Sequence, residues 1–126
     1  MLEVMTSHGI NACPPLLVGV GVATSVETAA LLSKKALFRT LGSKNSNERA
    51  AKLEKLLEDG INEIGLGPQG VSGKMSVMGV HIENTARHPS TIGVAVNVGC
   101  WSHRKGPIIF EKDLKYTIIS HKGVTL

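Results

Sequence analysis

Apolar positions along the chain follow two different periods, which separate strands from helices. An unbroken apolar run at residues 16–22 predicts a buried strand. Strict alternation over residues 91–99 predicts another, with Ile92 and three valines on one face and only small residues on the other. We expect a closely packed neighbour on that small face. Further strands are predicted at residues 75–83, 108–110 and 114–119.

Two helices are predicted between the first and second strands. Thr24, followed three residues later by Glu27, forms a capping-box pattern that predicts the start of the first helix. The second is the clearest element, with an apolar stripe at helical spacing and charged residues over much of the remainder, and it ends near Gly65. The stripe comprises Ala50, Leu53, Leu57 and Ile61, flanked by Leu56 and Ile64. The order β-α-α-β-β-β-β predicts an α+β domain with a mixed sheet and two main helices.

Composition narrows the function classes. The 126 residues amount to one domain. The net charge of +4 is spread along the chain, and one Trp, one Tyr and two Phe are too few for a base-stacking platform, so we expect no nucleic-acid partner. Since no apolar run is long enough to span a bilayer, we expect no membrane association. Two cysteines without an export signal indicate a reducing compartment, and we expect a cytoplasmic protein.

Two glycine-rich stretches resemble nucleotide-binding motifs only in part. In the first, at residues 19–24, Thr24 stands where the third glycine of a dinucleotide fingerprint belongs. In the second, at residues 67–74, Pro68 replaces the first P-loop glycine and Met75 replaces the Ser or Thr that would bind magnesium. A tight strand-to-helix turn explains the first stretch better, and the second predicts an unusual backbone shape.

The candidate chemical groups allow both a structural and a functional interpretation. Cys13 and Cys100 sit at predicted loop–strand junctions, where they are either small buried residues or two ligands of an incomplete metal site. His88, before a proline, is a turn residue or a catalytic group. His81, between apolar neighbours, is best explained as a structural histidine. Residues 103–105 form either a solvated loop or a corner that binds a carboxylate.

Several segments carry a family resemblance. Residues 11–21, 67–74, 79–83 and 94–101 resemble segments of the class I iron–sulfur hydro-lyases, the fumarate hydratases and L(+)-tartrate dehydratases. Within that family, residues 23–30 and 86–96 are most similar to the alpha subunits of tartrate dehydratases. The resemblance covers essentially the whole chain from Asn11 onward.

The resemblance implies a cofactor, a reaction and roles for three residues. Cys13 and Cys100 match two of the three thiolates that hold a [4Fe–4S] cluster in this family. Because three thiolates leave one iron open, that iron acts as a Lewis acid on the hydroxyl group of the substrate. His88 matches the family histidine that reaches the substrate. The implied reaction removes water from a 2-hydroxy dicarboxylate, and L(+)-tartrate would give oxaloacetate.

The resemblance also implies missing parts. The family's first cluster cysteine, in a Cys-Gln-Asp-Thr-Gly motif, is absent, so residues 1–126 are expected to be a partial alpha domain whose third cysteine ligand lies elsewhere. The implied partners are a beta subunit and a second alpha subunit in a heterotetramer, and the isolated chain is expected to be inactive. A fragment, a truncated gene and a split subunit all stay open, as does a non-catalytic remnant. Lys74 favours a fumarate hydratase, whereas the other segments favour a tartrate dehydratase.

Overall fold

The computed structural model describes residues 1–86 and 88–119. The elements are α1 (Leu2–His8), β1 (Leu16–Ala23), α2 (Val26–Ala36), α3 (Glu48–Glu63), β2 (Val77–Asn84), β3 (Gly93–Gly99), β4 (Ile108–Phe110) and β5 (Tyr116–Ile118), with 3-10 turns at Gly9–Ala12, Pro68–Gly70 and Trp101–His103. The predicted element order is confirmed, and α1 is an additional helix that the pattern did not indicate. Among the described helices, none combines the length and the apolar character needed to cross a membrane.

A mixed three-stranded sheet forms the centre of the domain. β1 lies between β2, which runs parallel to it, and β3, which runs antiparallel. The register places Val18 of β1 opposite Val80 on one side and Val98 on the other. β4 and β5 form a separate antiparallel hairpin. The structure therefore confirms the predicted α+β class with a mixed sheet.

Helix α2 packs unusually close to one face of β1 and β3. A Cβ added to Gly19 would lie 2.1 Å from the Ser33 carbonyl oxygen, and one added to Gly21 would lie 1.9 Å from that of Ala29. The Asn97 amide donates a hydrogen bond of 2.6 Å to the Ser33 hydroxyl across the same contact. The prediction of a close neighbour on the small face of residues 91–99 is confirmed, and α2 is that neighbour.

The opposite face of β1 and β2 carries the main core. Its buried residues come from both strands and from the helices α1 and α3: Met5, Leu16, Val18, Val20, Ile61, Val77, Val80 and Ile82. The predicted apolar stripe of α3 is only partly right, because Leu53 and Leu56 are exposed while the charged Glu54 is buried. Glu54 faces the outer edge of β2, where its carboxylate accepts a hydrogen bond of 2.8 Å from the Ile82 amide.

The start of α2 differs from the prediction by one residue. Ser25, not Thr24, is the N-cap, and its hydroxyl oxygen accepts a hydrogen bond from the Thr28 amide. The Thr24 hydroxyl instead donates to the Ala86 carbonyl at 3.0 Å and accepts from the His88 amide at 3.2 Å. A side chain with distant partners is unavailable for local capping, which is why the capping-box pattern misplaced the helix start.

The apolar face of β3 is exposed. Val94, Val96 and Val98 lie on the same face as the core valines of β1, yet 60%, 39% and 42% of their surfaces are accessible. The reason is geometric, because α3 packs over β2 and leaves the β3 side of this face open. The exposed side chains of the β4–β5 hairpin, including Phe110 and Tyr116, add to the accessible apolar surface.

Candidate functional site

The two cysteines lie together at one end of the sheet. Cys13 ends the 3-10 turn that precedes β1, and Cys100 directly follows β3. Because β1 and β3 are antiparallel, the start of one strand and the end of the other meet. The Trp101 amide donates a hydrogen bond of 3.3 Å to the Cys13 carbonyl oxygen. Both cysteines thus occupy the predicted loop–strand junctions, and we call this region the cysteine end.

Both thiols can be reached from solvent. Cys13 is exposed and adopts a left-handed conformation with φ of 54°. Cys100 is partly exposed, and its sulfur lies 2.9 Å from the Ser102 hydroxyl oxygen. Hydrogen bonds from the side chain and backbone of Ser102 lower the pKa of Cys100, which favours the thiolate that metals bind. Sequence reasoning missed Ser102, although its Cys-x-Ser spacing was visible.

The glycine-rich loop at residues 65–74 joins the cysteine end. The Gln69 amide donates a hydrogen bond of 2.8 Å to the carbonyl oxygen of Pro14, the residue after Cys13. Gln69 and Ser72 both have left-handed backbone angles, with φ of 55° and 74°. The unusual backbone shape predicted for this stretch is confirmed, but it extends to two residues that are not glycine.

The residues of the basic segment 103–105 make two kinds of contact: one stacks on an aromatic ring, and two line a cavity. The Arg104 guanidinium lies 3.5 Å from the centroid of the Trp101 ring, a cation–π contact. His103 and Lys105 line a cavity of about 460 Å³ on the α2 side of the cysteine end. The cavity also has apolar walls, from Leu17, Leu37, Phe38, Leu41 and Pro107. The segment is therefore partly a cavity wall, in keeping with a corner that could accept an anion.

His88 lies at the opposite end of the sheet. Its amide is bonded to Thr24, which follows β1, whereas Cys13 precedes β1. The seven residues of β3 separate His88 from Cys100, a span of roughly 20 Å at the rise of a strand. The His88 ring is exposed, and its Nδ1 lies 2.7 Å from the Ser90 hydroxyl. Within one chain, the structure does not bring His88 and the cysteines together. Arg87, in the same family-like segment, lies outside the described residues.

His81 is a structural residue, as its apolar neighbours predicted. It is buried on β2, with Nδ1 3.2 Å from the Ala36 carbonyl oxygen at the end of α2. Burial, reinforced by the charge of Arg39, lowers the pKa of His81 and keeps the ring neutral. This places His81 in the packing between α2 and β2.

The donor groups at the cysteine end fit part of an iron–sulfur site. Two accessible thiols on one edge, one with a lowered pKa, are the ligand type that such clusters use. Across residues 1–86 and 88–119, no three His, Cys, Asp or Glu side chains are grouped so that they could hold a metal ion. The described residues therefore place two free thiols at this end, and a cluster held by them would need a further ligand from elsewhere.

Comparison with known proteins places the chain in a family. A family model described as fumarate hydratase (Fumerase) matches residues 1–108. The L(+)-tartrate dehydratase subunit alpha of Escherichia coli (strain K12) is 58% identical over 121 residues, covering 96% of this chain and 40% of the relative. The protein of that name from Shigella boydii serotype 4 has the same identity and coverage.

A further relative is less similar in sequence. The putative L(+)-tartrate dehydratase subunit alpha of Methanocaldococcus jannaschii is 34% identical over 115 residues, covering 91% of this chain and 40% of the relative. The chain therefore spans about 40% of the length of the curated relatives it matches. Since the family model extends over most of the 126 residues, the chain belongs to the fumarate hydratase (Fumerase) family.

Proposed function

We propose that the chain is a component of an iron–sulfur hydro-lyase that dehydrates a 2-hydroxy dicarboxylate, with L(+)-tartrate giving oxaloacetate and water. The observation that carries this proposal is the meeting of Cys13 and Cys100 at one end of the sheet, in a chain 58% identical to a tartrate dehydratase alpha subunit. The location of the enzyme would be cytoplasmic, as two free cysteines favour.

In this proposal, Cys13 and Cys100 are two of the three thiolate ligands of a [4Fe–4S] cluster. When bound, the cluster would supply a Lewis-acidic iron that polarises the hydroxyl group of the substrate. Ser102 stabilises the Cys100 thiolate through its hydrogen bonds. Lys105 provides a positive charge in the adjoining cavity, which His103 also lines, and a substrate carboxylate can be attracted there.

The remaining parts of the site come from other chains or segments. Residues 1–126 form a partial alpha domain in this proposal, and a segment outside them provides the third cysteine. A beta subunit completes the enzyme, in line with the alpha-subunit names of the relatives. Because His88 lies about 20 Å from Cys100 along β3, we propose that it acts at the cysteine end of a second alpha chain.

A second candidate function is hydration of fumarate to malate by the same kind of enzyme. The description of the matching family model, fumarate hydratase, favours this reading, as does Lys74 in the glycine-rich loop. Both reactions add or remove water beside a carboxylate, so the proposed ligands and the proposed role of His88 are the same. Relative kcat/KM values for L(+)-tartrate and L-malate, measured with the assembled enzyme, distinguish the two substrates.

The experiment that tests the proposal measures iron and turnover together. The chain is assembled anaerobically with an upstream alpha segment carrying the third cysteine and with a beta subunit, and iron and sulfide are supplied. Cys13→Ser and Cys100→Ser are each expected to abolish retention of the cluster and all dehydration. His88→Ala is the matched control, because it leaves both thiols in place; it is expected to retain iron and to lose most turnover.

Two results would contradict the proposal. Full cluster content in either cysteine variant would show that the thiol concerned is not a ligand. A wild-type assembly that retains no iron and dehydrates neither substrate would identify the chain as a non-catalytic remnant. Iron is measured after desalting, and the cluster type is checked by its visible absorption and electron paramagnetic resonance spectra.

A further inference from the structure

The backbone at the cysteine end holds three non-glycine residues in the left-handed region. Among the described residues, only Cys13, Gln69, Ser72 and Leu114 combine a side chain with a positive φ, and the first three lie at this end. We propose that Gln69 is a substrate-binding residue, whose side-chain amide donates hydrogen bonds to a carboxylate of the dicarboxylate. This inference rests on the proposed function and assigns it a further residue.

The conformation of Gln69 is costly, which is the first argument. With φ of 55° and ψ of 13°, it occupies a region that glycine and asparagine tolerate far better than glutamine. Strained residues of this kind concentrate at functional sites, where the side chain or its direction is needed. Since the loop already carries four glycines, another glycine here would have relieved the strain. The presence of a side chain at this point therefore calls for a function.

The anchoring of Gln69 is the second argument. Its amide is bonded to the carbonyl of Pro14, so its backbone is fixed one residue from Cys13. The neighbouring Gly70 lies against Ile10, where an added Cβ would come within 2.4 Å of the side chain. Gly67 lies so close to the Ser72 backbone that an added Cβ would be 2.2 Å away. The loop is thus fixed against the Cys13 turn, and Gln69 has a defined position there.

The chemistry of the side chain is the third argument. Gln69 is exposed, so its side-chain amide is accessible to a ligand. A primary amide has two N–H donors, either of which can donate a hydrogen bond to a carboxylate oxygen. It is uncharged at any pH at which the enzyme would work, so it neither competes with the thiolates for iron nor takes part in proton transfer. These properties suit binding and orientation of a dianionic substrate.

The test uses three variants of the assembled enzyme. Gln69→Gly removes the amide and relieves the strain, Gln69→Asn keeps an amide in a residue that tolerates the conformation, and Ser72→Gly relieves strain in the same loop. Gln69→Gly is expected to raise KM by about 10- to 100-fold, the loss expected for a hydrogen bond to a charged group. Its kcat should change less than about threefold, because a contact made equally to substrate and transition state affects KM alone.

The other two variants provide the matched comparisons. Gln69→Asn should recover part of the affinity, and Ser72→Gly should leave KM unchanged. The melting temperatures of Gln69→Gly and Ser72→Gly are expected to equal or exceed that of the wild type, and their cluster spectra should be unaltered. If the rise in KM came from misfolding instead, the melting temperature of Gln69→Gly would fall below that of the wild type.

A Gln69→Gly enzyme with wild-type KM and kcat would overturn the inference while leaving the proposed function intact. An equal rise in KM in Ser72→Gly would also overturn it, because the shape of the loop would then be responsible. Failure of the proposed function is a different result, since the wild-type assembly would then dehydrate no 2-hydroxy dicarboxylate.

Discussion

Single residues in β1 decide how the domain packs. Gly19 and Gly21 allow the backbone of α2 to lie directly on the sheet, with no room for a Cβ at either position. The sequence showed both glycines and the small face of β3, and it correctly predicted a close neighbour. The same glycines also resembled part of a dinucleotide fingerprint. The structure explains the two glycines by helix packing, since the main-chain carbonyl groups of Ser33 and Ala29 occupy the space beside them.

Gly21→Ala is expected to destabilise the chain by about 1–3 kcal/mol, the range for overpacking a well-filled interior. The added Cβ would lie 1.9 Å from the Ala29 carbonyl oxygen and 2.5 Å from the Ser33 nitrogen, so α2 would have to shift. Gly60→Ala in α3 is the control, because its Cβ would be 3.6 Å from Leu2, an ordinary contact. It should stabilise by about 0.5–1 kcal/mol through helix propensity. Urea unfolding measures both, and equal stability of the two variants would contradict the packing argument.

At the scale of elements, the contact between α3 and the edge of β2 depends on a buried ion pair. Glu54 accepts hydrogen bonds from the Ile82 amide, from Asn45 at 3.1 Å and from Arg39. Burial alone would raise the pKa of Glu54, but these hydrogen bonds outweigh it and lower the pKa. The helical pattern could not reveal this role, because it treats every charged position of α3 as solvent-facing. Only the outward-facing backbone groups of the edge strand create the need for such a side chain.

We expect folding stability to decrease as the pH falls from 7 towards 4. The pKa of His81 is below 6.5 in the folded chain, so the unfolded chain takes up a proton first and stability falls once the pH drops below 6.5. The pKa of Glu54 is also lowered, from 4.5, so its contribution is lost as the pH falls further. Urea unfolding at several pH values measures the effect, and constant stability from pH 7 to 4 would contradict it.

Glu54→Gln tests the contribution of the ion pair to stability, because it removes the charge and keeps a side chain of similar size in α3. At pH 7 it is expected to cost about 3 kcal/mol, because it leaves the mostly buried Arg39 without its main partner. Below pH 4.5 the difference from wild type should shrink, because the unfolded wild-type chain then takes up a proton at Glu54 and the contribution of the ion pair to stability decreases. Glu58→Gln, which alters only a surface pair with Lys55, should change stability by less than about 0.5 kcal/mol. A similar cost in both variants would show that Glu54 has no special role.

Considered as a whole, the molecule presents its candidate groups at two separate ends. The cysteine end contains Cys13, Cys100 and the glycine-rich loop, whereas His88 lies beyond the other end of β3. Between them, the apolar face of β3 is exposed. A site that uses both ends needs more than one copy of the chain, and this arrangement supports the alpha–alpha contact in our proposal.

The two-chain site predicts complementation between inactive variants. One alpha chain carries Cys100→Ser and the other His88→Ala, and each alone should be inactive in the assembled enzyme. In a symmetric pair, the mixed assembly contains one site with intact thiols and an intact histidine from the neighbour, so about half of wild-type activity should return. Differently tagged chains allow the mixed assembly to be purified before kcat is measured. If the histidine acted within its own chain, the mixed assembly would be inactive.

The order of elements, the α+β class and most strand positions follow from the sequence by itself. In a strand or a helix with one buried face, apolar residues recur at the period of that element. The alternating and helical patterns in the sequence therefore reveal the type of each element. The sequence also determined that two cysteines flank strands, and its resemblance to the class I hydro-lyases agrees with the family that the comparisons show. The sequence did not determine where α2 begins, because Thr24 and Ser25 are equally good caps until their distant partners are known.

Only the tertiary structure decided which of these groups meet. The antiparallel pairing of β1 with β3 brings Cys13 and Cys100, which are 87 positions apart in the sequence, to one end of the sheet. The same pairing places His88 at the other end. Strand direction depends on contacts between segments distant in sequence, so local patterns carry no record of it. The burial of Glu54 and the left-handed backbone of Gln69 were decided in the same way, by a strand edge and a neighbouring turn that pack against them.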